Sequence, residues 1–452
     1  SLSFTKVRPD LRFGTTGRQN DHFNLSTKYD ESLAFIESIW DEYIKGDDPV
    51  FDQDTTVNIG TDEYDGQYTE QFRKFTDDLL AYIQDNGNTV RLWGSLTARN
   101  GSTSVRSEGV QMNIWNDGWA NPKSMYQQGY DLIDMNDGSV YIVPAAGYYA
   151  DYLSRKSMYN YDPATRMGVP SGSEQTLGGA YAIWNDMVDQ RANGLTEMEI
   201  YDRFDDAAPY YAAALWGKSG EVSFTTAQQT SENVGEAPGV NAYDKVDSET
   251  DEILSYDFED GLSDKSANEY DAENGKNAEV KDGELVLKGG ESYISTPLDK
   301  VGPEKELSFD ITLTQPAEPG QILFEAEKDE DHEAYSTHNI RIMEDGTLGF
   351  TREGYDYSFG YKLPVNQKMT LKIRTKNGST VLIADGKEYK ATGSFTYEGD
   401  VKKTGITSST LSLPLTRIGS DTNAVHAIID NVNLSSTMSD GESSPIDPSG
   451  FT

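Results

Sequence analysis

The chain of 452 residues contains no cysteine, which excludes disulfides, thiolate metal sites and cysteine nucleophiles. Its four histidines, His22, His332, His338 and His426, show no His-Glu-x-x-His spacing, so no zinc-hydrolase motif is present and no cofactor is expected. Basic residues are scarce, 38 Lys and Arg against 76 Asp and Glu, for a net charge of −38. Binding phosphate backbones or anionic lipid requires clustered cations that displace counterions, so no nucleic-acid partner is expected. No apolar run approaches the roughly 18 to 20 residues that a membrane span needs, which predicts no membrane insertion. The opening "SLSFTKVRPD" lacks the plan of a signal peptide. A Gly-x-Ser-x-Gly nucleophile elbow and a Gly-rich phosphate loop are also missing.

What is abundant is aromatic surface: 27 Tyr within an aromatic content of 11%. Tyr and Trp combine an apolar face with a polar handle, a combination suited to carbohydrate or peptide surfaces as well as to cores. From residue 30 to about 215, amphipathic segments alternate with short apolar runs. "YDESLAFIESIWDEYI" places Leu33, Ile36, Ile39, Trp40, Tyr43 and Ile44 on one helical face, and "YTEQFRKFTDDLLAYI" does the same with Phe72, Phe75, Leu79 and Ile83 before Gly87. Between them, "TTVNIG", "NTVRLWG", "VQMNIW", "SVYIVPA" and "AYAIW" read as buried strands. Alternating strand and helix predicts a parallel sheet covered by helices.

The five strands end alike, on Asp62-Glu63, on Trp93, on Trp115-Asn116-Asp117, on Tyr148-Tyr149-Ala150-Asp151 and on Trp184-Asn185-Asp186. In a (β/α)8 TIM barrel the site is built at the C-terminal strand ends. Acids and aromatics gathered at that edge are what a sugar pocket needs. Five strands correspond to strands four to eight of such a barrel, so strands one to three are expected upstream of Ser1.

Residues 216–252 are polar and aperiodic and read as a linker with one short strand. After them, "GELVLKGGESYISTPL", "KELSFDITLT", "NIRIMEDGTLGFTREG", "KMTLKIRTKNGSTVLIADGKEYK" and "HAIIDNVNLSS" alternate apolar and polar residues around Asp-Gly and Asn-Gly turns. That pattern predicts antiparallel hairpins in an all-β sandwich or jelly roll. The chain is thus multidomain: an α/β barrel portion at 1–215, the linker, a β-sandwich at 253–436 and a flexible tail at 437–452.

"VNIGTDEY" resembles the signature of glycoside hydrolase family 20, the β-N-acetylhexosaminidases and lacto-N-biosidases, with Asn58 where His is usual and Thr61 where Gly or Ala is usual. "RLWGS", "VPAAGYYAD" and "GGAYAIWND" are similar, in the same order, to the family's Trp, Tyr-x-Asp and Trp-x-Glu/Asp strand ends. "TDEYDG" and "MNIWNDGW" resemble the lacto-N-biosidase branch most. "SYDFEDGLSDKSANEYDAE" resembles the start of a laminin-G-like, concanavalin A-type sandwich, with Ala267 in place of the usual Gly. Such modules bind carbohydrate, some with a structural Ca²⁺, or serve as scaffolds.

The first resemblance implies a retaining exo-glycosidase in which the substrate's own 2-acetamido oxygen attacks C1, an exception to the two-carboxylate rule. It implies that Glu63 is the general acid and base, that Asp62 orients the acetamido N–H, and that Tyr149 bonds the acetamido oxygen. Trp93, Trp115 and Trp184 would wall the sugar, and Asp151 and Asp186 would accept its hydroxyls. The competing reading is that those two acids cap the helices that follow their strands; their position at the strand ends favours the sugar. The partner implied is a glycan ending in GlcNAc, GalNAc or lacto-N-biose, and the location extracellular or on a bacterial cell surface. The alternative from another class is a non-catalytic carbohydrate-binding protein built on the β-sandwich and a degenerate barrel.

Overall fold

The computed structural model describes residues 2–186, 195–217, 219–235, 237, 239–327, 337–397, 401–403 and 408–437. The predicted tail from 438 onward and His332 lie outside them. The described chain falls into two compact units, one of residues 1–142, 156–182 and 210–223, the other of 143–155, 183–209 and 224–452. The segments 143–155 and 183–209, read from the sequence as barrel, therefore pack with the β-rich part. Among the described residues no helix is long and apolar enough to cross a membrane.

The first unit is α/β. Its two long helices, Tyr29–Ile44 and Thr69–Asp85, lie where the apolar spacing predicts, and Gly87, with φ of 90°, closes the second. Five parallel strands pair in the order Val57–Asn58, Val90–Trp93, Val110–Ile114, Asp131–Asp134 and Thr176–Gly179. Val90, Leu92, Val110, Met112, Ile114 and Leu132 are fully buried beneath the helices, as a two-sided parallel sheet requires.

Two of the five strands differ from the expectation. "SVYIVPA" and "AYAIW" supply only the two-residue strands Tyr141–Ile142 and Ala182–Ile183, outside that sheet. Their places are taken by "DLID" and "TLGG". An apolar run marks burial whether the backbone is a strand or not. In "DLID" the acids at both ends mask a strand whose Asp134 is buried and paired.

In the second unit the antiparallel reading holds. The 19-residue strand Arg417–Ser435 is the hub: it pairs with Glu252–Tyr256, Glu284–Ser295, Lys305–Leu313 and Ile322–Glu325. Inward residues such as Leu307, Phe309, Phe324, Phe350, Ile418 and Ile429 form one core. The segment read as a linker contains a helix, Phe224–Val234, in place of the short strand expected. It buries no residue, so it carries no apolar period to read.

A polar cluster lies inside this unit. Thr196 and Glu199 form a reciprocal cap at the start of the helix Glu197–Leu215: the Thr196 N–H donates to Glu199 Oε2 at 2.6 Å and the Glu199 N–H to Thr196 Oγ1 at 3.0 Å. Glu199 also accepts from His338 Nε2 at 2.6 Å and Arg352 Nε at 3.1 Å. His338 Nδ1 accepts the Ser412 N–H, which fixes the Nε2–H tautomer. Burial pushes the Glu199 carboxyl up, but His338, Arg352 and the Thr196 N–H outweigh it and hold it at about 2. A depressed carboxyl stabilises the fold fully above its ordinary value of 4.5, and that contribution disappears as pH falls through the folded value. The urea midpoint of this unit should therefore decline as pH drops from 4.5 towards 2, and Glu199→Gln should flatten the decline. A variant that keeps the wild-type slope over that window removes Glu199 from this account.

Candidate active site

In the first unit, the carboxylate pair sits on a turn that the backbone forces. After Val57–Asn58 the chain passes through two consecutive left-handed residues, Gly60 at φ of 76° and Thr61 at 65°. Glycine takes that conformation freely, whereas a β-branched threonine is strained there. Neighbours hold the turn in place. Asn58 Oδ1 accepts the Gly60 N–H at 2.9 Å, the Trp93 N–H donates to Gly60 O at 2.9 Å, and Ser95 Oγ donates to Thr61 O at 2.9 Å. Asn58, which stands where the family pattern has His, thus has a backbone task in the same turn.

The chain continues into Asp62, exposed, Glu63, half-buried, and Tyr64, buried. Tyr64 is an anchor: its hydroxyl donates to Phe23 O at 2.7 Å and its ring stacks on Phe72 at 5.2 Å. Asp62 and Glu63 border a cavity of about 800 Å³ whose wall is mostly apolar, with Trp40, Tyr64, Phe72 and Phe75 among its lining. A largely apolar hollow with a few convergent polar groups is the usual form of a small-molecule site. His22 lines the same cavity 5.1 Å from the Tyr64 ring, and burial lowers its pKa. Sequence reasoning assigned it no role; an isolated His in "NDHFN" carries no spacing signal.

Trp93 and Trp115 end adjacent strands. The Trp115 indole N–H donates to Gly94 O at 2.8 Å, and its ring stacks on Trp119 at 5.9 Å. Trp119 is the second Trp of "MNIWNDGW", visible in the sequence but given no task. At the end of the next strand Asp134 is fully buried, accepts from Tyr161 at 2.8 Å, and pairs at 2.5 Å with Arg166, which also reaches Asp117 at 2.6 Å. These contacts tie successive strand ends together.

The remaining predicted residues belong to the second unit. Tyr149, 38% exposed, and Tyr148 meet edge to face at 5.6 Å, and the Tyr148 hydroxyl donates to Asp186 Oδ2 at 2.8 Å. Trp184 is exposed close by in sequence. Asp151 turns inward: Oδ1 accepts the Ala145 N–H at 2.6 Å and Oδ2 the Tyr355 hydroxyl at 3.3 Å. Both Asp151 carboxylate oxygens and Asp186 Oδ2 thus accept hydrogen bonds from protein groups. Tyr148, adjacent to the Tyr singled out, is the side chain that reaches Asp186. Among the described residues no group of three or more His, Asp or Glu is arranged to hold a metal ion.

A carboxylate pair at the C-terminal end of a parallel strand, beside an apolar hollow, places the first unit among α/β proteins whose sites lie at strand ends. Residues 12–216 match the profile of the glycosyl hydrolase family 20 catalytic domain. Over 221 residues the chain is 22% identical to a lacto-N-biosidase of Bifidobacterium bifidum, covering 43% of this chain and 19% of that protein. The chain thus spans about a fifth of the length of that curated relative. Among solved structures it is similar to a β-N-acetylhexosaminidase from Bacteroides fragilis, at a TM-score of 0.38 and 19% identity over 53% of each chain. It is also similar to domain 4 of an extracellular arabinanase from Geobacillus stearothermophilus, at a TM-score of 0.30 and 18% identity over 41% of this chain and 91% of that one.

Proposed function

We propose that the protein carrying this chain is a retaining exo-glycosidase that removes a terminal β-linked N-acetylhexosamine, or the disaccharide lacto-N-biose, using the substrate's acetamido group as nucleophile. The observation that carries the reading is the adjacency of Asp62 and Glu63 on one pinned turn, at the edge of a cavity, inside the segment that matches the family. Two residues consecutive in sequence cannot readily flank a sugar from opposite sides. They can serve one face, which suffices if the attacking oxygen arrives with the substrate.

In the first step the acetamido carbonyl oxygen bonds to C1 as the C1–O bond to the leaving sugar breaks. Glu63 gives its proton to the departing oxygen. Asp62 accepts the acetamido N–H and offsets the positive charge of the oxazolinium ring that forms. In the second step the Glu63 carboxylate takes a proton from water, whose oxygen attacks C1 and reopens the ring with net retention. The family resemblance gives Tyr149 the task of holding the acetamido oxygen in line, and Trp93, Trp115 and Trp184 that of walling the sugar. The similarity to a lacto-N-biosidase supports the disaccharide form. A location outside a bacterial cell, and glycan or calcium binding by the β-rich unit, belong to the same proposal.

A substrate panel on the natural full-length protein tests it. p-Nitrophenyl β-GlcNAc, β-GalNAc or β-lacto-N-bioside should be hydrolysed at least about a thousandfold faster than p-nitrophenyl β-glucoside, because loss of the neighbouring amide removes an effective molarity of order 10⁵ M or more. Equal rates on the plain glucoside would overturn the mechanism. The ratio among the three amide substrates assigns the pocket to one sugar or two.

A further inference from the structure

The hairpin that joins the strands Leu348–Arg352 and Tyr355–Ser358 is unusual for a β-turn. Its two central residues, Glu353 and Gly354, have φ of 54° and 74°, the left-handed pair of a two-residue hairpin loop. Asn or Asp is the ordinary choice at the first position, and hairpin tips are ordinarily in water. Here the position holds a glutamate that is completely buried. Strain of this kind persists only where the surroundings hold it.

What holds it is the segment that resembles the glycosidase. Arg203 Nη1 and Nη2 donate to the two Glu353 carboxylate oxygens at 2.7 and 2.6 Å, a bidentate pair with both side chains fully buried. Arg203 Nε also donates to the carbonyl of Asp151 at 3.1 Å, and its guanidinium lies over the Tyr152 ring at 4.6 Å. On one flank of the tip, Arg352 Nη2 donates to the Tyr152 hydroxyl at 3.1 Å; on the other, Tyr355 donates to Asp151. Residues 352, 353 and 355 of the hairpin thus grip residues 151 and 152 from three directions, directly or through Arg203. Asp151 in turn holds the Ala145 N–H, so the loop 143–155 is closed at its base. Tyr149 lies in that loop, two residues before Asp151.

We propose that the hairpin tip Arg352–Tyr355 of the β-rich module is a positioning element of the glycosidase, fixing the loop 143–155 and through it Tyr149. The inference rests on the role assigned to Tyr149 above. It gives the β-rich module a task in catalysis that requires no glycan of its own. A hydroxyl that must stay in line with a reacting oxygen gains from a loop locked by buried, bidentate contacts, since a displacement of about 1 Å can cost on the order of a hundredfold in rate.

Tyr355→Phe is the chosen variant, because it removes one hydroxyl from a buried ring and leaves the ion pairs intact. In the full-length protein it should raise amide exchange in 143–155 and leave exchange in the hub strand Arg417–Ser435 unchanged. On an acetamido substrate kcat should fall roughly tenfold with KM within about twofold, and Tyr149→Phe alone should lower kcat by about a hundredfold. The double variant should be no slower than Tyr149→Phe, since a residue that acts only through Tyr149 has nothing left to act on. Unchanged exchange in the loop, or losses that multiply in the double variant, would overturn the proposal. If Tyr149→Phe leaves kcat intact while Tyr355→Phe still loosens the loop, the clamp stands as structure and the assignment of Tyr149 is what fails.

Discussion

Glu63→Gln is expected to lower kcat on a natural glycan by about 10²- to 10⁴-fold, the range that general acid–base catalysis contributes. The side chain keeps its size and its half-buried place beside the cavity but has no proton to give and no charge with which to activate water. Two features separate this from a general disturbance. Aryl glycosides, whose phenolate leaves with little help, should lose less in the glycosylation step than a sugar leaving group does. KM should stay near its wild-type value, because the acid acts on the departing oxygen and not on ground-state binding. A wild-type rate on the natural substrate would remove Glu63 from the mechanism. An equal loss on both leaving groups would remove it as the acid.

The second large effect concerns stability. Arg203→Met should destabilise the β-rich unit by about 3–5 kcal/mol, because it takes the bidentate partner from the fully buried Glu353 carboxylate and leaves it only the single contact from Arg352 Nη2 at 2.8 Å. Burial already pushes the Glu353 carboxyl up, with Arg203 and Arg352 pulling against that shift. Removing Arg203 should therefore drive the side chain to take up a proton. The double variant Arg203→Met, Glu353→Gln should recover part of the loss, since the amide carries no charge to leave uncompensated while its oxygen still accepts from Arg352. Urea denaturation followed through amide exchange in Arg417–Ser435 reads the unit by itself. A single variant within about 0.5 kcal/mol of wild type, the ordinary effect of a surface substitution, would mean that the pair is hydrated and carries little.

These two expectations differ in how far the sequence anticipates them. Glu63 is legible because its meaning is local: an apolar run, a Gly that permits a left-handed turn, and two acids in fixed order suffice to single it out. The helices Tyr29–Ile44 and Thr69–Asp85 are legible for a similar reason, since a 3.6-residue period states which face is covered. Hairpins show themselves through Asp-Gly and Asn-Gly turns. The strand "DLID" is not legible, because its acids imitate a loop while Asp134 is buried against Arg166. "SVYIVPA" misleads in the opposite sense: its apolar residues are buried, but its backbone is mostly not sheet.

Arg203, Arg352, Glu353 and Asp151 show where local reading ends. In a chain this rich in acid, "TREG" and "YYAD" look like solvated turns. The contacts between them span 150 residues or more, as in Arg203 with Glu353 and Tyr152 with Arg352. The amino-acid order alone determined the alternation of elements, the acidic turn and its likeness to one glycosidase family, because each depends on neighbours a few positions apart. Only the tertiary structure decided that a hairpin of the β-rich module is buried against the loop carrying Tyr149. Whether a charge is solvated or buried depends on which distant segment covers it, and no local period records that.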